Sequence, residues 1–176
     1  MGAIKKPESV KLVVGFLYRD PDVLREAMNN LCRYFGKIDF ESPKLEFSYT
    51  TYYRNEMGDG LKRLFVSFEK LINPESAYKT KLTTNAIEKK LSLNGKRRIN
   101  IDPGYIDMAK LVLFSTKDYA HRVLAGRGIF AEVTLFYKDG RYNPWPWTYP
   151  DYKTEEYTEI FNSIRNIYKD RNVKCT

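Results

Sequence analysis

A chain of 176 residues that is 43% hydrophobic and 15% aromatic carries too much apolar surface to stay disordered, and its length suits one domain with one core. Thirty Lys and Arg against 22 Asp and Glu leave a formal charge of +8, which says nothing of fold but favours anionic partners such as RNA, nucleotides and phosphorylated metabolites. No apolar run approaches the roughly 20 residues that span a bilayer, and MGAIKKPES has neither a signal-peptide core nor a myristoylation site, so a cytoplasmic protein with no membrane partner is expected.

Lys11 to Arg19, KLVVGFLYR, is a short β-rich apolar run, and Asp20-Pro21 then supplies an N-cap and a proline at the first helical position. In the predicted helix over 21–35, Leu24, Ala27, Met28, Leu31, Tyr34 and Phe35 recur at three- and four-residue intervals, and Gly36 stands where a left-handed C-terminal cap belongs. Strands are predicted over 37–40 and 44–53, the second alternating Leu45, Phe47 and Tyr49 against Glu46, Ser48 and Thr50. Met57-Gly58-Asp59-Gly60 is a turn signal ahead of another alternating strand, LKRLFVSFEKLI. Beyond Asn73-Pro74 and a polar loop, Asn85 with Glu88 three residues on marks the N-cap and N3 of a short helix ending near Asn94-Gly95.

Arg97 to Ile101 is predicted as a strand, Asp102-Pro103-Gly104 as a turn, and 108–115 as the next strand, with Ala109, Leu111 and Leu113 on one face and Lys110 on the other. Strands over 120–125 and 129–137 flank Gly126-Arg127-Gly128, and the chain turns back at Asp139-Gly140, giving a C-terminal antiparallel meander. A helix over 117–124, capped by Ser115 with Asp118, is the second reading of that region. NPWPWTYPDY is too proline-rich for a central strand and fits an extended surface segment. Thr154 caps a helix over 154–172 whose Tyr157, Ile160, Phe161, Ile164 and Ile167 form an apolar stripe. The expected architecture is a single α+β domain over 1–176: a mostly antiparallel sheet with helices 21–35 and 154–172 packed on one face. The order strand-helix-strand-strand-helix-strand in the first half is compatible with a ferredoxin-like start.

Pairing of the strands around Gly126 to Gly128 brings a cation to Glu132. A two-residue turn sets His121 opposite it, and a three-residue turn sets Arg122 there. On the functional reading Lys110, Lys117, Asp118, His121, Arg122 and Glu132 line a polar pocket. The cations hold an anionic, phosphate-bearing small molecule or nucleotide, and His121 and Glu132 are available for proton transfer. Asp102, beside Tyr105, is a further candidate for holding a hydroxyl or a metal, or else belongs only to a turn. On the structural reading the same charges are paired on a sheet face without chemistry. Two other functions fit the residues: RNA binding by Lys89, Lys90, Lys96, Arg97 and Arg98 with Tyr52 and Tyr53 as stacking surfaces, and a hydrolase or transferase using His121 and Glu132 as acid and base.

No GxxxxGK(S/T), GxGxxG, GxSxG, HExxH or CxxC pattern occurs, so no motif defines a reaction or names a cofactor. Ser115-Thr116-Lys117-Asp118 lacks one intervening residue of the (N/T)KxD guanine signature. Cys32 and Cys175 are too isolated for a disulfide framework or a metal-ligand spacing, and 30% charged residues without any glutamine are compatible with a thermophilic source.

Across nearly the whole chain, KLVVGFLYRD, YYRNEMGDGLKRLFVSFEKLI, TNAIEKKL, RRINIDPGYIDMAKLVLFSTKDYAHR and GIFAEVTLFYKDGRYNPWPWTYPDY stand in unbroken order before the final helix. In these segments the chain resembles the domain of unknown function 4416 family, a prokaryotic family. Members of that family are often labelled GTP-binding. The resemblance implies that label and carries over no catalytic residue.

Overall fold

β1 (Lys11–Tyr18) is buried along its whole length and lies near the centre of a nine-stranded sheet in the computed structural model, which describes residues 2–173. Asp20 accepts a hydrogen bond from the Asp22 N–H, and Pro21 opens α1 (Pro21–Phe35), which stops at Gly36 with φ +89°. Asp20 caps the helix as expected, and Gly36 ends it with a positive φ but with ψ −160°, not in the left-handed helical conformation expected of it. There follow β2 (Ile38–Glu41), β3 (Leu45–Glu46), the short α2 (Arg54–Met57), β4 (Lys62–Phe68), α3 (Lys79–Leu91), β5 (Ile99–Ile106) and β6 (Lys110–Ser115). β7 (Val123–Gly126), β8 (Ile129–Lys138) and β9 (Arg141–Pro144) complete the sheet before α4 (Glu155–Val173). Every pairing is antiparallel, and the strand order is β2-β4-β1-β5-β6-β8-β7, with β3 on β4 and β9 on β8. The portion β2-β4-β1-β5, crossed by α1 and α3, is the ferredoxin-like arrangement; β6 extends it, and β7, β8 and β9 follow as the predicted antiparallel hairpins, with β8 rather than β7 paired to β6.

Both faces of β1 need cover because all eight of its residues are buried. Leu12, Val14, Phe16 and Tyr18 pack with Val23, Leu24, Ala27 and Leu31 of α1 and with Ile87 and Leu91 of α3. Val13 faces the other way, where Phe65, Ile106, Leu111 and Leu135 meet Tyr157, Ile160, Phe161 and Ile164 of α4. The α+β class stands, but the two long helices cover opposite faces instead of sharing one.

Several local expectations change. NPWPWTYPDY does not run extended over the surface throughout: Asn143 and Pro144 end β9, and Pro150–Lys153 form a 3-10 turn that buries Asp151 and Tyr152. The second long helix of the ferredoxin-like half begins at Lys79, not Asn85, after a 3-10 turn, and its N-cap residue Tyr78 makes no side-chain capping bond. Asp102-Pro103-Gly104 lies inside β5 and is not a turn. The Ile101 N–H points away from β1 to Glu88, so two residues on the Pro103 nitrogen also points away from β1, where no ladder bond is demanded. A Cβ on Gly104 would lie 2.2 Å from the Val112 carbonyl oxygen, so glycine permits the close approach of β6. The strand expected over 44–53 shrinks to Leu45–Glu46, and the aromatic residues after it leave the sheet.

A further change is a bulge. Leu111 pairs with Leu135 but Val112 pairs with Val133, so Thr134 is an extra residue in β8. Glu132 consequently shares a face with Leu113 and Leu135, while Lys110, paired with Phe136, lies on the opposite face.

Candidate functional site

The sheet opens where β5 parts from β6. These strands pair only from Gly104 to Ile106, which leaves the backbone of Ile101 without a strand neighbour on that side. α3 supplies the missing partners: Glu88 Oε1 accepts from the Ile101 N–H at 2.6 Å, and Lys81 Nζ donates to the Ile101 carbonyl at 2.9 Å. Beside this edge is a cavity of about 750 Å³, walled also by the aromatic segment after β3, the loop after β6 and the chain around Tyr149 to Tyr152. Its size is that of a small-molecule site.

Arg63 dominates the buried end. It projects from β4 next to Gly15 of β1, where a Cβ would come within 2.9 Å of the Phe65 ring and 3.3 Å of Arg63 Nη1. The guanidinium lies 3.1 Å from Asp151 Oδ2 and 3.5 Å from Asp102 Oδ2. Asn100 donates to the same Asp102 oxygen at 2.7 Å and accepts from Arg97 at 3.1 Å; Arg97 also donates from Nε to Glu56 at 3.0 Å. Burial raises the Glu88 carboxyl above its ordinary pKa against the pull of Lys81, and raises Asp151 against the pull of Arg63. Burial opposes the Arg63 charge, but the surrounding Tyr152, Tyr157, Asp102 and Asp151 outweigh it, so the guanidinium stays charged. Burial also pushes Tyr152 well above the usual phenol range and Tyr157 up to about 12.

Arg122 and Glu132 form the opposite wall. β7 pairs Val123 with Ala131 and Leu124 with Phe130, and Ala125 is bulged ahead of the two-residue turn Arg127-Gly128. Continued one residue, that register sets Arg122 opposite Glu132. Arg122 Nε donates to Glu132 Oε2 at 2.7 Å, and the Thr134 hydroxyl donates to Oε1 at 3.1 Å. Arg122 Nη1 reaches Ser115 Oγ at 3.1 Å and the Lys117 carbonyl at 3.0 Å, so it pins the loop after β6. His121 Nε2 is 3.2 Å from Glu132 Oε2 but off the hydrogen-bond direction, and it has no hydrogen-bond partner. The imidazole stacks between Tyr119 and Trp147, with ring centroids 6.0 and 5.9 Å away.

Of the residues singled out in the sequence, Asp102, Lys117, Arg122 and Glu132 come together on the cavity wall. His121 stands behind it against Glu132, and Asp118 is exposed on the loop. Lys110 and Tyr105 belong to the other face of the sheet, where Lys110 pairs with Asp107 at 2.6 Å beside a smaller cavity of about 410 Å³. Lys89, Lys90, Lys96 and Arg98 are exposed, Arg98 is 2.6 Å from Asp20, and Arg97 turns instead to the cavity. Arg63, Lys81, Glu88, Asn100 and Asp151 were not anticipated. The one signal for Arg63 was its place in the alternation of β4, KRLFVSF, where it shares a face with Phe65 and Ser67. Among the described residues no group of three His, Cys, Asp or Glu side chains is placed to hold a metal ion.

These features define a class: an antiparallel α+β protein in which a ferredoxin-like half and a β-meander enclose a polar cavity at their seam. The chain matches the family described as Domain of unknown function (DUF4416) over residues 8–168 and belongs to it. Searches among curated proteins and among solved structures each found no match.

Proposed function

We propose that the cavity binds a phosphate-bearing small molecule, sugar phosphates and nucleotides being the candidates, with the phosphate at its open end. The observation that carries this reading is Lys117. Arg63, Lys81, Arg97 and Arg122 of the cavity wall each have a carboxylate within ion-pair distance, whereas Lys117 has none among the described residues. Its Nζ instead lies 4.2 Å from the centroid of the exposed Tyr52 ring. An exposed ammonium with no counter-charge favours an anion, and the net positive charge of the chain adds long-range attraction. Tyr52, Tyr119 and Tyr149 at the same end offer aromatic surface to a planar group. We assign Glu132 to holding Arg122 rather than to proton transfer, because both its oxygens already accept hydrogen bonds.

A thermal-shift screen with nucleoside mono-, di- and triphosphates and sugar phosphates tests the proposal. At a ligand concentration of 100 Kd, linkage stabilises the fold by about 2.7 kcal/mol, which for a chain of this size raises Tm by roughly 5–10 °C. Lys117→Ala, at an exposed position, keeps the fold and loses most of the shift. No shift with any compound, or an equal shift in Lys117→Ala, overturns the proposal.

A further inference from the structure

The buried end of the cavity holds hydrogen-bonding groups that the fold leaves unused. Arg63 is 3% exposed and Tyr152 4% exposed, both line the cavity, and neither Arg63 Nε nor the Tyr152 hydroxyl has a hydrogen-bond partner. Buried polar atoms are normally paired, and leaving one unpaired is strongly unfavourable. The two side chains are neighbours, with the Arg63 guanidinium carbon 5.9 Å from the Tyr152 ring centroid. Asp102 adds an acceptor: its Oδ2 accepts from Asn100 and Arg63, while Oδ1 has only Lys81 at 3.7 Å, beyond hydrogen-bond reach. The Asp102 side chain keeps 28% of its surface exposed, so a ligand can reach it.

Charge limits what fits there. An anion meets the carboxylates of Asp102 and Asp151, and a cation meets Arg63 and Lys81. A neutral group that both donates and accepts satisfies all three open positions, and hydroxyls have that property. Two adjacent hydroxyls can donate to Asp102 Oδ1 while accepting from Arg63 Nε and the Tyr152 hydroxyl. We infer that the buried end of the cavity is a subsite for the vicinal hydroxyls of a sugar, with Asp102, Arg63 and Tyr152 as its hydrogen-bonding groups. This rests on the phosphate reading of the open end, and together the two ends select a sugar phosphate, free or as the ribose phosphate of a nucleotide.

Isothermal titration calorimetry on the full chain tests the subsite with two probe pairs: ribose 5-phosphate against 2-deoxyribose 5-phosphate, and adenosine 5′-monophosphate against its 2′,3′-dideoxy counterpart. Inorganic phosphate serves as the hydroxyl-free reference. In the wild type the hydroxyl-bearing member of at least one pair binds tenfold or more tightly. Discrimination in the first pair alone identifies a free sugar phosphate, and in the second alone a nucleotide. Tyr152→Phe and Asp102→Asn shrink that ratio below threefold and leave the affinity for the deoxy compounds and inorganic phosphate unchanged. Lys117→Ala weakens all phosphate compounds in parallel and preserves the ratio. Tyr152→Phe deletes a hydroxyl that bonds nothing in the fold, so it remains informative even where Asp102→Asn loosens Asn100 and Arg63. Equal binding within both pairs, or a ratio unchanged by Tyr152→Phe, overturns the subsite and leaves the phosphate reading standing. Absence of binding by every phosphate compound overturns both.

Discussion

Single atoms decide two features of the cavity. A methyl group on Gly104 would meet the Val112 carbonyl oxygen at 2.2 Å, and a backbone oxygen within a paired strand has little room to yield. Gly104→Ala is expected to destabilise the fold by about 3 kcal/mol, at the upper end of overpacking costs, measured by urea denaturation. Arg122 and Glu132 form a pair with side chains 4% and 3% exposed. Removing only the cation leaves a buried carboxylate with Thr134 as its one hydrogen-bond donor, which costs about 3 kcal/mol. Adding Glu132→Gln to Arg122→Met should recover part of that loss; additive losses in the double-mutant cycle would contradict direct coupling. A cation opposite Glu132 was legible in the sequence because strand pairing across one turn permits few registers, but the choice of Arg122 over His121 was not: the turn has two residues, and the bulge at Ala125 brings Arg122 rather than His121 into line. The Arg63 contacts were not, since Asp102 and Asp151 are 39 and 88 residues away and no local period reports such distances.

At the scale of elements, the free edge of β5 is closed by a helix instead of a strand. Glu88 and Lys81 of α3 bond the two backbone groups of Ile101. Glu88→Ala should expose that amide and speed its hydrogen exchange relative to Val14 in the middle of the sheet. The same carboxyl carries a pH signature. Burial holds its folded-state pKa above the ordinary 4.5, so the folded protein binds this proton more tightly than the unfolded chain. The stabilisation from protonating it is complete below about pH 4.5 and is lost as pH rises through the folded-state value. Glu88→Gln keeps an acceptor for Ile101 and removes the titration, so the change in unfolding free energy between pH 4.5 and 7.5 should be smaller than in the wild type. Identical pH profiles would exclude this role.

Strong local signals found the elements around this edge but not the edge itself. The Asp20-Pro21 start and Gly36 stop of α1, and the Thr154 cap of α4, whose hydroxyl accepts from the Tyr157 N–H at 3.3 Å, are written in the residues. α3 lacks a capping side chain at Tyr78, so its first six residues gave no start signal and Asn85 took that role. Asp102-Pro103-Gly104 has turn chemistry, yet antiparallel pairing with β1 through Gly15, Val14 and Val13 overrides it. The bulge at Thr134 was equally silent, and it alone moves Glu132 to the face opposite Lys110.

Over the whole molecule, one sheet serves two layers. α1 and α3 cover the ferredoxin-like half on one face, and α4 covers the other face where the meander joins it. Phe161 of α4 is fully buried, with ring centroids 5.0 Å from Phe65 and 5.8 Å from Tyr152. Phe161→Ala should therefore destabilise the protein by about 3–5 kcal/mol and, through Tyr152, loosen the buried end of the cavity. A loss below about 1 kcal/mol would mean that α4 is not a structural layer. The α+β class was legible because alternation and helical periodicity were both strong. The two-sided placement of helices was not, because a strand apolar on both faces looks the same whichever helix covers which side.

An NMR titration of the isotope-labelled protein with ribose 5-phosphate tests directly whether the cavity is the binding site. Saturable shifts of backbone amides are expected at Tyr52, Tyr53 and Ser115 to Tyr119, with smaller shifts near Asp102 and Tyr152, all abolished or strongly weakened by Lys117→Ala. Shifts confined to Lys89, Lys90 and Lys96 at the end of α3, or unchanged in Lys117→Ala, would contradict this placement.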